Sequence, residues 1–175
     1  MTDETTRLVR IATLTGRDGL EFALDRIENE LDLATAQALG ETLAAIDPWA
    51  RYRFTPDRLA HAVGRNAPGA VRLLLRADEA LAGVAVLKPG WMFGTYLNLL
   101  AVLPTHQGRG IGHAFLDWLE AEGRARGERN QFVVSSAFNE RALALYESHG
   151  FCRIADMPGL ISDGETEVLL RRRLG

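Results

Sequence analysis

The hydrophobic positions along this chain change period several times, and each change marks an element. Leu8, Val9 and Ile11 make a short apolar run after a polar start over residues 1–6, and the turn signal Thr15-Gly16-Arg17-Asp18-Gly19 closes it, so a first strand is expected there. Phe22, Leu24 and Ile27 fit a returning strand, which would make 8–27 a hairpin. The stretch 21–31 also fits a helix, and the pattern alone leaves both open. Behind Asp32, a good N-cap, Leu33, Ala36, Leu39, Leu43 and Ile46 recur at helical spacing until Asp47-Pro48 ends the helix. Trp49, Tyr52 and Phe54 follow as an aromatic loop. Thr55 and Pro56 then suit the cap and first position of a second, short helix, with Leu59, Ala62 and Val63 inward.

Further on, Val71, Leu73 and Leu75 alternate with Arg72 and Arg76, as in a strand with one wet face. Asp78-Glu79 turns the chain into a returning antiparallel strand over 81–87, Lys88-Pro89-Gly90 reads as a further turn, and 91–102 as a long central strand. The helix after Gly112 carries Ala114, Phe115, Leu116 and Leu119 and stops at Arg126-Gly127. Phe132, Val133 and Val134 form the continuous apolar run of a buried strand, pairing in parallel through that helical crossover. A last helix over 139–149 ends at Gly150, and strands over 151–155 and 166–172 flank the loop 158–164. The run Arg171-Arg172-Arg173 is read as the solvated end of an edge strand rather than a nucleic-acid contact. No repeat or linker interrupts the pattern. The expectation is one mixed α/β (α+β) domain over 1–175, with 1–19 an extension or added strand.

Composition narrows the partners. The 175 residues, 47% apolar and 25% charged, suit one globular domain, and a net charge of −3 offers no general field for nucleic acid or an anionic membrane. Any anion site must therefore be local. Cys152 is the only cysteine, which excludes an intramolecular disulfide, and its apolar neighbours predict a small buried hydrophobe. No run approaches the roughly 18 apolar residues of a membrane span, the N-terminus lacks a signal core, and a cytoplasmic protein is expected. No metal site is expected.

The chemistry concentrates between Tyr96 and Gly112, where strand, glycine turn and helix follow one another. Glycines let backbone N–H groups approach a ligand, and a helix N-terminus favours negative charge. A P-loop would need Lys and Ser/Thr after its second glycine, and a dinucleotide fingerprint would need glycine at His113; neither is met. Gln107, Gly110 and Gly112 instead satisfy Gln/Arg-x-x-Gly-x-Gly/Ala, which resembles the pyrophosphate loop of the GNAT acetyltransferase superfamily. A second match lies downstream: Asn139, Ala142, Tyr146, Gly150 and Phe151 occupy every fixed position of the family pattern Asn-x-x-Ala-x-x-x-Tyr-x-x-x-Gly-Phe. The resemblance spans residues 20–172.

The resemblance implies a twisted, mostly antiparallel sheet of about six to seven strands flanked by helices, its central strands splayed to hold acetyl-CoA. It implies acetyl transfer from acetyl-CoA to an amine by direct attack in a ternary complex. Main-chain groups of Leu100, Ala101 and Val102 would hold the pantetheine arm. Gln107, Gly108, Arg109, Gly110, Ile111, Gly112 and His113 would hold the pyrophosphate, Asn139 would touch the cofactor, and Tyr146 would protonate the departing thiolate. Many relatives carry a glutamate base where this chain has Tyr96, which leaves the base unassigned; Asp47 and Glu41 are weak candidates. Trp49, Tyr52, Phe54 and Tyr96 are candidates for the acceptor pocket, between the loops 47–54 and 157–164. The implied acceptor is a small-molecule amine, a peptide N-terminus or a lysine, and homodimers are common among such proteins. The alternative is a non-catalytic acyl-CoA-binding module of the same fold.

Overall fold

A computed structural model describes residues 6–78 and 80–175; residues 1–5 and Glu79 of the expected turn lie outside the described residues. The N-terminal ambiguity resolves as a hairpin, β1 (Leu8–Thr15) with β2 (Glu21–Ile27). Two helices follow, α1 (Leu33–Ala44), capped by Asp32, and α2 (Pro56–Gly64), capped by Thr55. Then come β3 (Val71–Ala77), β4 (Ala80–Trp91), β5 (Gly94–Val102), α3 (Ile111–Ala125), β6 (Asn130–Ser136), α4 (Glu140–Ser148), β7 (Cys152–Pro158) and β8 (Thr166–Arg173). The described strands form one eight-stranded sheet in the order β1-β2-β3-β4-β5-β6-β8-β7, one or two strands wider than the implied sheet because the N-terminal hairpin joins it. Only β5 and β6 pair in parallel, joined by the α3 crossover.

The sheet separates two cores. Phe115, Leu116 and Leu119 of α3 and Leu143 and Tyr146 of α4 pack with Leu97, Val133, Val168 and Leu170 on one face. Leu39 and Leu43 of α1 and Leu59 and Val63 of α2 pack with Leu74, Val84, Leu99 and Ala101 on the other. No helix among the described residues is long and apolar enough to cross a membrane.

Several local expectations give way. Leu33 is 72% exposed, because a first helical residue leans past the helix end rather than onto the next element. Ala62 is exposed, one step off the stripe set by Leu59 and Val63. The turn lies at Met92-Phe93, both in the left-handed region (φ 47° and 62°), while Lys88-Pro89-Gly90 continues β4 through an irregular register. A side chain at Gly94 would collide with the Asn130 carbonyl, which explains the glycine there. Arg171–Arg173 belongs to an interior strand, since β7 covers β8 and is itself the edge. Arg172 is largely enclosed and pairs with Glu120 at 2.5 Å. Cys152, on that edge, is exposed, contrary to its apolar context.

Arg72 was expected on a wet face and is 2% exposed. Its guanidinium donates to the Gly64 carbonyl at 2.7 Å, the last residue of α2, and to the Asn29 carbonyl, tying α2 and the β2–α1 connection to β3. Arg72→Met keeps the stem volume but strands these carbonyls. It should lower unfolding stability by about 2–3 kcal/mol in urea titrations, with little change in slope.

Candidate active site

The site begins with a defect in β5. Val86 of β4 pairs with Leu99 and Leu87 with Leu97, so Asn98 is an extra, exposed residue. Leu97 and Leu99 would share a face in a regular strand, yet they lie in opposite cores. The parallel ladder with β6 also ends here, its last pair being Leu97 with Val133. Beyond it β5 stays bound to β4 and β6 to β8, so the two strands part with main-chain groups of Leu100 to Val102 along the opening. Unpaired backbone polar groups need a partner. A cavity of about 580 Å³ lies against them, lined by Leu100, Ala101 and Val102.

The glycine turn forms the cavity's polar end, where Gln107, Gly108, Gly110, Ile111, Gly112 and His113 all line it. Gly110 is the N-cap of α3 in the left-handed region (φ 79°) and, unlike Asp32, Thr55 and Asn139 at the other α-helices, offers no side-chain cap. The first N–H groups of α3 thus face the cavity with the positive end of the helix dipole. Gly112 serves packing, since Leu145 of α4 lies 3.1 Å from where its Cβ would be. Gln107 donates to the Val102 carbonyl at 3.0 Å and accepts from Arg141 at 2.9 Å, linking the turn to β5 and α4.

Arg109 departs from expectation. Its guanidinium turns away to Asp18 at 2.7 Å, and that contact holds the Asp18 carboxyl below the usual range. The local cations are instead Arg17 and Arg141, both lining the cavity. Arg17 sits in the β1–β2 turn and donates to His113 Nδ1 at 3.1 Å; burial, and then Arg17, hold His113 below its ordinary pKa, so its ring is a neutral acceptor. Arg17 was invisible in sequence because it is 96 positions away from the His113 that it meets. Arg141 stands at a variable position within the second motif.

Tyr146 is 6% exposed, edge-on to Phe151, and lines the cavity. Burial, and then the Tyr96 phenol, push its pKa well up, so it is a neutral donor throughout the physiological range. Asn139 caps α4 by accepting from the Ala142 N–H at 3.2 Å and also lines the cavity. Trp49 lines it too, with Asp47, whereas Glu41 is exposed on α1. Tyr52, Phe54 and Tyr96 do not line it. Phe54 packs in the α1/α2 core under Arg58, Tyr96 packs on Trp91, and Tyr52 donates to the buried Glu167. Glu167 is the residue the sequence reading missed; a lone acid among strand residues carries no signal. Arg51 joins the aromatic loop to Glu165 at 2.7 Å, the residue that follows the 157–164 loop.

Residues 34–151 match the model of the Acetyltransferase (GNAT) family. The chain belongs to this family. A ribosomal protein bS18-alanine N-acetyltransferase of Salmonella typhimurium is 33% identical over 104 residues, 59% of this chain and 64% of that protein. The match thus spans less than two thirds of that relative. Among solved structures, a Desulfovibrio desulfuricans protein described as a GNAT-family acetyltransferase superposes with TM-score 0.68 and 22% identity, covering 88% of this chain and 99% of that one. A structure from Salmonella typhimurium described as an acetyltransferase with its cofactor acetyl-CoA gives TM-score 0.62 and 22% identity, covering 88% and 94%. At these identities the structural likeness is one of fold.

Two outcomes test this GNAT site. A Cβ on Gly110 would lie 2.5 Å from the Arg17 backbone N in a left-handed conformation, so Gly110→Ala should cost about 1–2 kcal/mol. Acetyl-CoA affinity measured by calorimetry should fall with it. Tyr52, pushed up to about 12 mainly by burial, and Tyr146, also raised, keep their protons longer folded than unfolded. Their contribution is full below pH about 10 and is lost as pH rises through the folded values. Urea midpoints should be flat from pH 7 to 9 and fall above about 10, less steeply in Tyr146→Phe.

Proposed function

We propose that this chain transfers an acetyl group from acetyl-CoA to a primary amine by direct attack within a ternary complex. One observation carries the reading: the opened β5–β6 ladder, the uncapped N-terminus of α3 and the Tyr146 hydroxyl border a single cavity. That cavity offers backbone partners to an amide-bearing arm, N–H groups and arginines to a pyrophosphate, and a proton donor between them. Acetyl-CoA supplies the activated acyl group, a thioester.

The chain's own residues do the remaining work. Backbone groups of β5 orient the thioester and polarise its carbonyl, which lowers the barrier without reorganisation at the moment of reaction. Tyr146 donates its proton to the departing sulfur. Its pKa is raised, but the sulfur leaves into the same buried surroundings, where burial raises the thiol's pKa as well, so the proton transfer stays workable. The acceptor approaches from the α1/α2 face, between the loop 47–54 and the β7–β8 loop that Arg51 and Glu165 fasten together. The curated relative modifies an alanine of a ribosomal protein, which supports an amine at a peptide N-terminus; the aromatic side chains of the same face suit a small, partly apolar amine equally.

The test pairs binding with turnover. Acetyl-CoA at about a hundredfold over its Kd should stabilise the wild type by about 2.7 kcal/mol in thermal unfolding, with ATP and NAD giving no shift. CoA release against a panel of aliphatic amines and short peptides should then identify an acceptor. Tyr146→Phe should keep the acetyl-CoA shift and lose about 10²-fold or more in kcat. Unchanged turnover in that variant would remove Tyr146 from the mechanism. Absence of CoA release with any amine would leave a binding module.

A further inference from the structure

The acid of the site is on one face of the sheet, and a buried carboxylate stands on the other. Val168 and Leu170 of β8 belong to the α3/α4 core, so Glu167 points to the α1/α2 face, and Ser136 of β6, paired with it in register, points the same way. Glu167 is 3% exposed. Its partners are two hydroxyls: Ser136 donates to Oε2 at 3.1 Å and Tyr52 donates to Oε1. No cationic side chain among the described residues pairs with it. A buried carboxylate held only by neutral donors is expensive, and a cation brought to it would recover part of that cost.

The position of this pair is as telling as its charge. Ser136 ends β6 after the strand has left β5, and Glu167 is its partner on β8, on the face that carries the 47–54 loop's Tyr52. Tyr96 of β5 lies within electrostatic reach of both Glu167 and Tyr146. The Tyr52 ring is fixed by Phe138 at 5.4 Å and Phe54 at 6.1 Å, and the phenol is only half-buried. Its oxygen donates to Glu167 and keeps lone pairs to accept from a ligand. The charged or titratable groups facing the pair from the surrounding elements are Tyr96 and, at the start of β8, Glu165, which Arg51 neutralises.

Resting on the transferase reading above, the geometry points to the Tyr52–Glu167 pair as the subsite that binds the acceptor as an ammonium ion and takes its proton. The acceptor's N–H bonds to the Tyr52 oxygen. As that proton moves to Tyr52, the Tyr52 proton passes to Glu167 Oε1, leaving a neutral amine, a neutral phenol and a carboxylic acid. The freed lone pair forms the C–N bond as the C–S bond breaks. Of the two protons that the nitrogen loses, one rests on Glu167 until solvent removes it, and the other ends on the CoA sulfur by way of Tyr146. Tyr52 is the catalytic residue here, since it touches the substrate; Glu167 is a positioning residue that acts through it. The acceptor class is therefore a cationic primary amine rather than a hydroxyl or an uncharged arylamine.

The experiment is steady-state kinetics against pH, with the best acceptor of the amine panel, on wild type, Glu167→Gln and Tyr52→Phe. In both variants kcat/KM for the amine should fall about 10²-fold. Its rising limb should move up toward the amine's own pKa, while the KM for acetyl-CoA and the acetyl-CoA thermal shift stay unchanged. Should Glu167→Gln not fold, Tyr52→Phe carries the test, because it keeps the ring contacts and loses only the hydroxyl. Wild-type kcat/KM and an unmoved pH limb in a folded variant overturn the proposal. A wild type that binds acetyl-CoA but acetylates no amine overturns the transferase reading, and this one with it.

Discussion

The parting of β5 from β6 is the constraint on which the rest of the structure depends. A parallel ladder that stops after Leu97 and Val133 leaves backbone donors and acceptors facing each other across a gap too wide for them to meet. The strands cannot close, because β4 holds β5 and β8 holds β6 along their other edges. The extra residue Asn98 sets the bend and reverses which side chains face which core. Other sheet proteins avoid such a gap; a protein that must bind a long, amide-rich arm can use it as the binding surface.

Local charge is assembled on a chain that is acidic overall. A net charge of −3 would not draw a polyanion to the surface at large, so the cations are placed where the dipole of α3 already points. The N-terminal hairpin is part of this arrangement. Its turn brings Arg17 to the cavity and Asp18 to Arg109, and the second contact fixes the glycine turn more than it binds a ligand. Half-exposed ion pairs of this kind are screened by solvent, so their value is in geometry. The added strands β1 and β2 therefore serve the site as well as the sheet.

The acid–base roles proposed for the site are divided by the sheet. Tyr146 lies on the α3/α4 side, deep enough to stay protonated, while Tyr52 and Glu167 lie on the α1/α2 side. The opening in the ladder is the passage where their effects can meet on one reacting centre.

The elements and the family could be read from local pattern. Caps at Asp32, Thr55 and Asn139, the glycine turn after β5, and the spacing from Asn139 to Phe151 are properties of short stretches, which backbone sterics and hydrogen bonding determine without distant partners. Most of the cavity's lining on β5, α3 and α4 follows from the same motifs. What the pattern misjudged was everything decided by neighbours far along the chain. Arg72 reads as a wet residue until the Gly64 and Asn29 carbonyls are brought to it, Cys152 reads as buried until β7 proves to be the edge, and Arg171 and Arg172 read as the wet end of an edge strand until β8 proves to be interior. Arg17 and Glu167 carry no signal in their own segments, because their environments come from residues 96 and 115 positions away. Sequence determined the secondary elements and the cofactor motifs, since local geometry suffices for those. Tertiary structure alone decided which charges are buried and what they pair with, since burial and pairing depend on the packing of the whole sheet.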